Sequence, residues 1–232
     1  ALAKNPNDVT ALINKSLVLA QKGSVLFREE EYGRVAEAAA MEAIKIAPKD
    51  SEAWRALAYA NEIQQKYVPA HTYYQKAISL YVRNTMAIFG DAHAYDLQGD
   101  LVKAEIGYKK ALSIDPNFIP AHIGLARVFD AKGNPDASLE QLRFVYFNTK
   151  NLRQTAEASY LIGTLIFSKG QLSLSRRYFE EATALDPSYP MGWYGLGGVL
   201  FAQGTDRNAK ITDADRVGLM RSSVDVLNKA IK

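Results

Sequence analysis

Three histidines, at His71, His93 and His122, are the residues whose type most readily suggests chemistry. Histidine is a common zinc ligand, and three of them complete some catalytic zinc sites. The chain has no cysteine, which excludes thiolate catalysis, disulfides and cysteine-bound metals. Whether the imidazoles converge depends on the elements that carry them. The repeat described below places them on helix faces that point in different directions, so we expect no metal site and no cofactor.

Other familiar catalytic arrangements are weak in this sequence. Serines and acids are plentiful, but nothing places a nucleophile beside a base. The segment GLGG at residues 195–198 lies within a predicted helix, so its glycines favour packing rather than phosphate binding. The acidic run from Glu29 to Glu31 is typical of a solvated turn. The sequence therefore predicts a protein that is not an enzyme.

A period of about 34 residues organises the chain. Four segments align, and their first alanines are Ala43, Ala77, Ala111 and Ala182. The first two steps are equal, and the third is two periods plus three positions. Val145 lies one period after Ala111, at the position where the series would otherwise have a further alanine. A period of this length accommodates two short helices and their turns.

Each recurring position has a physical role in a helix pair. Small side chains let the first helix approach the second, and aromatic rings fill the space between pairs. Glycines adopt the left-handed conformation that ends the first helix, and prolines stop the second. The small residues are Ala58, Ala92, Ala126, Gly163 and Gly197; the rings are Tyr74, Tyr108 and Phe179; the glycines are Gly99, Gly133 and Gly170; the prolines are Pro48, Pro116 and Pro187.

This register resembles the tetratricopeptide repeat family. One unit carries the signature residues Trp54, Leu57, Ala58, Tyr67, Ala70, Tyr74 and Ala77. The resemblance implies an all-α fold, a right-handed α-solenoid of antiparallel helix pairs that stack into a superhelix. It also implies a scaffold or adaptor that binds a protein or peptide partner along the concave groove of the stack.

The period predicts a series of units. Residues 1–8 are predicted to be the tail of a preceding repeat, and full units follow at 9–50, 51–84, 85–118, 119–152 and 153–189. Residues 190–232 are predicted to form a modified sixth unit with an insertion at 205–212. The first unit is long, because the step from Pro6 to Pro48 exceeds one period by about eight positions. We expect the surplus to lengthen its first helix or to enlarge the turn near GSVLFREEEY.

The resemblance also indicates which side chains face a ligand. In this family the first helices line the concave face, with exposed residues at their second, fifth, ninth and twelfth positions. The candidate peptide-binding residues are Arg55, Tyr59, Glu62, Phe89, His93, Asp96, Arg127, Asp130, Tyr160, Thr164 and Tyr194. Tyrosine and arginine often anchor interfaces, and Arg55 or Arg127 would bind a carboxylate. Alternatively, some of the aromatics pack between neighbouring first helices and only stabilise the stack.

Composition and charge limit the other function classes. The formal net charge is only +3, with acids and bases interspersed, so the sequence argues against nucleic acid, although a single-stranded nucleic-acid binder stays an alternative. No apolar run reaches the roughly 18 residues that span a bilayer, so we expect no membrane insertion. The compartment is unknown. A cytoplasmic location is slightly favoured, and a periplasmic one stays open because the chain begins at Ala1 and looks truncated.

A C-terminal helix is predicted to begin near Asp213, an apt N-cap residue. Its apolar residues share one helical face, and they are Val217, Met220, Val224, Leu227 and Ile231. We expect this helix to cap the stack. Alternatively its face contacts a second copy or another partner, so a homo-oligomer stays possible. The chain would then be a structural, self-assembling subunit of a larger complex.

Overall fold

The computed structural model describes residues 5–26 and 28–231, and every regular element in those ranges is an α-helix. The predicted tail at 1–8 therefore lies partly outside the described residues. The helices in chain order are α1 (Val9–Leu26), α2 (Glu29–Ile46), α3 (Ser51–Glu62), α4 (Tyr67–Leu80), α5 (Thr85–Leu97), α6 (Leu101–Ile114), α7 (Ile119–Ala131), α8 (Pro135–Asn148), α9 (Leu152–Ser168), α10 (Leu172–Leu185), α11 (Pro190–Thr205) and α12 (Asp213–Ala230).

The helices group into two compact units. The N-terminal unit ends at Val128 and the C-terminal unit begins at Phe129, within α7. In the N-terminal unit the pairs α1–α2, α3–α4 and α5–α6 pack closely, and each following first helix packs on the pair before it. The pairs α9–α10 and α11–α12 are arranged in the same way in the C-terminal unit. The all-α solenoid class expected from the repeat is confirmed. The boundaries of the six repeats stay a prediction.

The surplus residues of the first unit lie in its helices. Both α1 and α2 have 18 residues, whereas α3 to α8 have 12 to 14. The core shared by α1 to α4 includes Leu12, Ile13, Ala40 and Leu57, all buried. Small alanines at this joint let the helix axes approach closely, which is the packing that the sequence predicts.

Backbone conformation at the turns follows the glycine pattern. Gly99, Gly133 and Gly170 have φ of 78°, 73° and 73°, which confirms their predicted left-handed conformation. Gln65 stands one period before Gly99 and has φ of 57°. A side chain with a Cβ is strained in that region by about 1–2 kcal/mol. Gln65 therefore adopts the same left-handed turn conformation as Gly99, although it is not a glycine.

Three ring nitrogens close the turns that precede first helices. Trp54 Nε1 and Trp193 Nε1 donate to the carbonyls of the prolines six residues earlier, Pro48 and Pro187, at 2.9 and 2.8 Å. His122 Nε2 makes the same contact with the carbonyl of Pro116 at 2.9 Å. A carbonyl only accepts, so this imidazole nitrogen carries the proton. His122 is thus a structural equivalent of the two tryptophans.

The C-terminal helix α12 differs from its prediction in two respects. Its N-cap is Thr212, whose hydroxyl accepts from the Asp215 N–H in a capping box, rather than Asp213. The helix is also rotated, because the Ser223 hydroxyl donates to the Gly197 carbonyl at 2.8 Å. Of the predicted face, Met220 and Leu227 pack against α11, together with Leu219 and Val226, whereas Val217, Val224 and Ile231 stay exposed.

The insertion at residues 205–212 is held by one arginine. Arg216 donates to the carbonyls of Gly204, Asp206 and Ala209, and its contacts with Asp206 and Ala209 are 2.5 and 2.9 Å. Three carbonyls around a single guanidinium give this loop a defined path without regular secondary structure.

Candidate protein-binding site

The histidines do not converge. His71, on α4, bonds Asp91 through Nδ1 at 2.7 Å and stacks on the Tyr95 ring at 3.9 Å. His93, on α5, bonds Glu62 instead, and His122 bonds a proline carbonyl. No group of three or more His, Asp or Glu side chains in residues 5–26 and 28–231 is arranged to hold a metal ion.

Five of the predicted groove residues line a single pocket in the N-terminal unit. Its volume is about 390 Å³, within the range of small ligand sites. The pocket lies between α1, α3, α4 and α5. The predicted lining residues are Arg55, Tyr59, Glu62, Phe89 and His93; the additional ones are Leu17, Gln21, Tyr74, Met86 and Gly90. We refer to it as the α3–α5 pocket.

The buried carboxylate of Glu62 organises the pocket wall. The Glu62 side chain is only 4% exposed. The Tyr74 hydroxyl donates to its Oε2 at 2.7 Å, and His93 Nδ1 lies 2.8 Å from its Oε1. A carboxylate only accepts here, so His93 donates from Nδ1. Burial, followed by the neighbouring Glu62 charge, raises the pKa of Tyr74 well above its usual value. The phenol therefore stays protonated and available to donate.

The cation at the pocket rim is already paired. Arg55 donates from Nε and Nη2 to Glu52 Oε2 at 2.8 and 2.7 Å. The other Glu52 oxygen accepts from Asn84 Nδ2 at 2.8 Å. The Arg55 side chain is 12% exposed and the Glu52 side chain is 47% exposed, so an incoming carboxylate would share the guanidinium with Glu52 or compete with it. Arg55 is thus already paired with a carboxylate of its own helix.

The remaining pocket surface is aromatic. Phe89 packs on His93 with centroids 5.9 Å apart and on Phe118 edge-on at 5.5 Å. Tyr59 is half-buried, and burial raises its pKa, with Glu62 adding to the rise and Arg55 opposing it. Gly90 is required beside Tyr74, because a Cβ there would lie 2.4 Å from the tyrosine ring. The pocket is therefore apolar, with its charged groups satisfied internally.

The other predicted residues of the N-terminal unit lie outside this pocket. Asp96, at the end of α5, accepts from the Tyr108 hydroxyl at 3.2 Å, which repeats the pairing of Tyr74 with Glu62 one period later. Burial, followed by the charge of Asp96, raises the pKa of Tyr108. Arg127 is exposed on α7.

Four predicted residues belong to the C-terminal unit. Asp130 and Thr164 are exposed, and the Thr164 hydroxyl donates to the Tyr160 carbonyl within α9 at 3.0 Å. Tyr160 is half-buried against Phe179 and Tyr189, each with centroids 5.8 Å away. Tyr194 is exposed on α11. Tyr160 therefore packs against a ring of the second helix α10 and against the N-cap residue of α11, and its role in binding stays a prediction.

Leu17, Gln21 and Tyr74 belong to the pocket but were not among the candidates. Tyr74 occupies the recurring ring position of the second helix, which the sequence analysis assigned to packing alone. Leu17 and Gln21 come from α1, where the added length hides the repeat register. A residue count along α1 with Leu12 at the tryptophan position puts Leu17 at the ninth position, which is that of Tyr59, whereas Gln21 falls outside the counted positions.

Comparison with known families agrees with this architecture. Residues 123–190 and 167–209 match the family model described as tetratricopeptide repeat. Residues 123–209 thus match tetratricopeptide repeats, and the chain has the tetratricopeptide repeat fold. The matched residues lie beyond most of the N-terminal unit, where the helix pairs nevertheless have the same packing. A search of curated proteins found no significant match.

Solved structures share the fold of this chain at low sequence identity. PilF of Pseudomonas aeruginosa is 16% identical, with a TM-score of 0.72 over 95% of this chain and 90% of that one. TTC0263 of Thermus thermophilus, a thermophilic protein of this repeat type, is 19% identical, with a TM-score of 0.66 over 81% and 98%. YrrB, described as having an unusual peptide-binding site, is 19% identical, with a TM-score of 0.58 over 83% and 95%.

In the described part of the chain, no helix has the length and apolar character needed to cross a membrane. The repeat fold is in general a protein-interaction scaffold, because its stacked first helices offer an extended surface to a partner.

Proposed function

We propose that this protein is a non-enzymatic scaffold that binds a segment of a partner protein along its first helices. In this proposal the α3–α5 pocket receives one apolar or aromatic side chain of that segment. The supporting observation is the lining itself, in which Tyr59, Phe89 and Met86 surround a space of about 390 Å³. Aromatic and methionine side chains are enriched in the cores of protein interfaces.

The pairing of the charged groups supports an uncharged occupant. Glu62 is satisfied by Tyr74 and His93, and Arg55 is satisfied by Glu52. A charged ligand group that displaced a partner of Glu62 would leave that buried carboxylate underpaired, which is costly. An apolar side chain can enter the pocket while all of these contacts stay formed. The proposal therefore departs from carboxylate capture by Arg55, which the sequence alone had suggested.

Polar atoms at the pocket mouth can hold the backbone of the segment. His93 uses Nδ1 for Glu62, and its Nε2 has no hydrogen bond to another residue of the described chain. The amide of Gln21, also in the lining, is exposed. Such groups can pair with peptide N–H and C=O groups, which combines backbone hydrogen bonding with a side-chain pocket.

Panning a library of random peptides against the protein tests this proposal. We expect the selected sequences to share one large apolar or aromatic residue. Their binding should weaken at least about tenfold in Phe89→Ala. Phe147→Ala is the matched control, because Phe147 is exposed on α8, away from the pocket. Selected peptides that require a free carboxylate, or that bind Phe89→Ala unchanged, would overturn the assignment.

A further inference from the structure

His93 differs in chemistry from the residues at the same position of the neighbouring first helices. One period earlier the position holds Tyr59, and one period later it holds Arg127. A guanidinium only donates hydrogen bonds, and a phenol bonds through a hydroxyl outside its ring. A neutral imidazole has one ring nitrogen that donates and one that accepts. Of these three side chains, only His93 can therefore present a ring nitrogen as an acceptor.

The buried Glu62 carboxylate decides which nitrogen of His93 accepts. Nδ1 lies 2.8 Å from Glu62 Oε1, and the second carboxylate oxygen accepts from the Tyr74 hydroxyl at 2.7 Å. The carboxylate requires a donor, so Nδ1 carries the proton. In the neutral ring the lone pair is then on Nε2, because the hydrogen bond at one nitrogen sets the state of the other.

The Nε2 edge of His93 is the part of the ring that a ligand can reach. The His93 side chain is 31% exposed, whereas the Glu62 side chain that Nδ1 contacts is 4% exposed. The exposed edge is consequently the one remote from Glu62. His93 lines the α3–α5 pocket, and its Nε2 has no hydrogen bond to another residue of the described chain. The pocket therefore presents an acceptor that an occupant with an N–H group would satisfy.

Arg55 favours an occupant with a flat aromatic ring. Its Nε and Nη2 donate to Glu52, and these hydrogen bonds lie in the plane of the guanidinium. The face of the group that lines the pocket stays available for stacking, and indole is the aromatic system that a cation attracts most. Tyr59 and Phe89 add aromatic surface to the same lining. Stacking surface beside a single acceptor is the complement of an indole.

We infer that the α3–α5 pocket is selective for a tryptophan side chain, whose indole N–H donates to His93 Nε2. The inference rests on the proposed function, because a segment of a partner protein delivers this side chain. The two tryptophans of the chain itself are engaged, since Trp54 and Trp193 donate to proline carbonyls. The exposed amide of Gln21 is left to pair with the backbone of the segment.

Two other aromatic side chains fit less well. Phenylalanine brings no donor and would leave Nε2 of His93 without a partner. Tyrosine brings a hydroxyl donor, but a phenol ring is a weaker partner than indole for the cation of Arg55. Tryptophan meets both requirements, because its N–H donates, does not accept and belongs to the ring that stacks.

Four blocked amino acids, titrated at pH 8 into the ¹⁵N-labelled protein, test the inference. They are N-acetyl-tryptophanamide, the benzothiophene analogue in which sulfur replaces the indole N–H, N-acetyl-tyrosinamide and N-acetyl-phenylalaninamide. The analogue keeps the shape of the ring and loses only the donor. From the amide signals of Tyr59, Phe89 and His93 we expect Kd to be about fivefold weaker for the analogue than for the tryptophan compound. The tyrosine and phenylalanine compounds should also bind more weakly.

Two histidine variants assign the difference to one ring. His93→Phe keeps a ring beside Phe89 and removes the acceptor, so the tryptophan compound and its analogue should bind this variant equally. His71→Phe is the matched control, because His71 also bonds a carboxylate, that of Asp91, but lies outside the pocket. It should keep the fivefold difference. If His93→Phe does not fold, the comparison of the two compounds in the wild type decides alone.

Three results would overturn the tryptophan assignment and leave an apolar pocket in place. They are equal affinity of the tryptophan compound and its analogue in the wild type, tighter binding of the tyrosine compound, and a fivefold difference that persists in His93→Phe. Absence of binding by all four compounds would overturn this inference together with the proposed function.

Discussion

The two units join the helices of a pair with different hydrogen bonds. In the N-terminal unit, Tyr74 and Tyr108 donate from the second helix to carboxylates twelve residues earlier, Glu62 and Asp96. In the C-terminal unit the ring position holds Phe179, which has no hydroxyl. There the Ser175 hydroxyl donates to a backbone carbonyl instead.

This difference distinguishes the side-chain packing that the repeat fold requires from the polar contacts that a binding site can use. Both units bury a large side chain between small residues, so that packing alone suffices for the repeat. The carboxylates of Glu62 and Asp96 in the N-terminal unit are not needed for that packing. Once Glu62 is held by Tyr74, it can also bind His93 and shape a pocket wall. In the described part of the C-terminal unit the carboxylate network lies elsewhere, because Tyr146 and Ser159 donate to Glu181 at 2.6 and 3.1 Å, and Tyr194 and Phe201 are exposed.

The largest expected effect comes from the ring position of the C-terminal unit. Phe179→Ala should lower the free energy of unfolding by about 3–5 kcal/mol, because the ring is buried between two glycines and the cavity cannot close. Leu227→Ala should cost about 2 kcal/mol, at the low end of its class, because Leu227 is packed on one side. Urea unfolding of the two variants measures both. Equal losses would mean that Leu227 is as enclosed as Phe179.

Removal of one hydroxyl should distinguish the units next. Tyr74→Phe should cost about 1.5–3 kcal/mol, because it removes a hydrogen bond to a buried charged group. Adding Glu62→Gln to this variant should recover part of the loss. Phe179→Tyr is the reciprocal change, and it gains no carboxylate partner, so we expect no stabilisation. If Tyr74→Phe unfolds at the wild-type urea concentration, the Glu62 contact is not stabilising.

Alkaline pH should weaken the N-terminal joint. Burial and the neighbouring carboxylates raise the pKa of both Tyr74 and Tyr108 in the folded state. A raised folded pKa contributes stability that is complete below the unfolded value near 10 and is lost as pH rises above it. We expect the stability of the wild type to fall from about pH 10 upward. The double variant Tyr74→Phe, Tyr108→Phe should show a flatter profile in the same range.

The smallest effect concerns the cap of α12. Thr212→Ala should cost about 1 kcal/mol through loss of an N-cap. Hydrogen bonds from the Thr212 hydroxyl and its backbone N–H lower the pKa of Asp215. A lowered folded pKa gives stability that is present above the unfolded value near 3.9 and lost as pH falls through the folded one. An unchanged acid limb in Thr212→Ala would contradict a role of the capping box.

The sequence predicted the fold because its signals are local and repeated. Gly99 and the prolines mark turns, and small residues such as Ala58 mark close helix contacts, independent of distant partners. It also placed Arg55, Tyr59 and Phe89 on one surface. These features depend on the helical period, which is fixed by the backbone.

The pairing of polar groups was less predictable. Nothing in the spacing shows that Glu52 would hold Arg55 or that Tyr74 would hold Glu62, because these depend on side-chain rotamers. The rotation of α12 was missed for a similar reason. Its apolar residues cover more than one face, and the bond from Ser223 decides which of them meets α11.

The most direct test of the account is a titration of the ¹⁵N-labelled protein with blocked amino acids, one aromatic and one acidic. N-acetyl-tryptophanamide should shift the amide signals of Tyr59, Phe89 and His93, and N-acetyl-aspartate amide should not. Phe89→Ala should abolish the tryptophan effect, and Phe147→Ala should keep it. Shifts that appear only with the acidic compound, or that are confined to the C-terminal unit, would contradict an apolar pocket between α3 and α5.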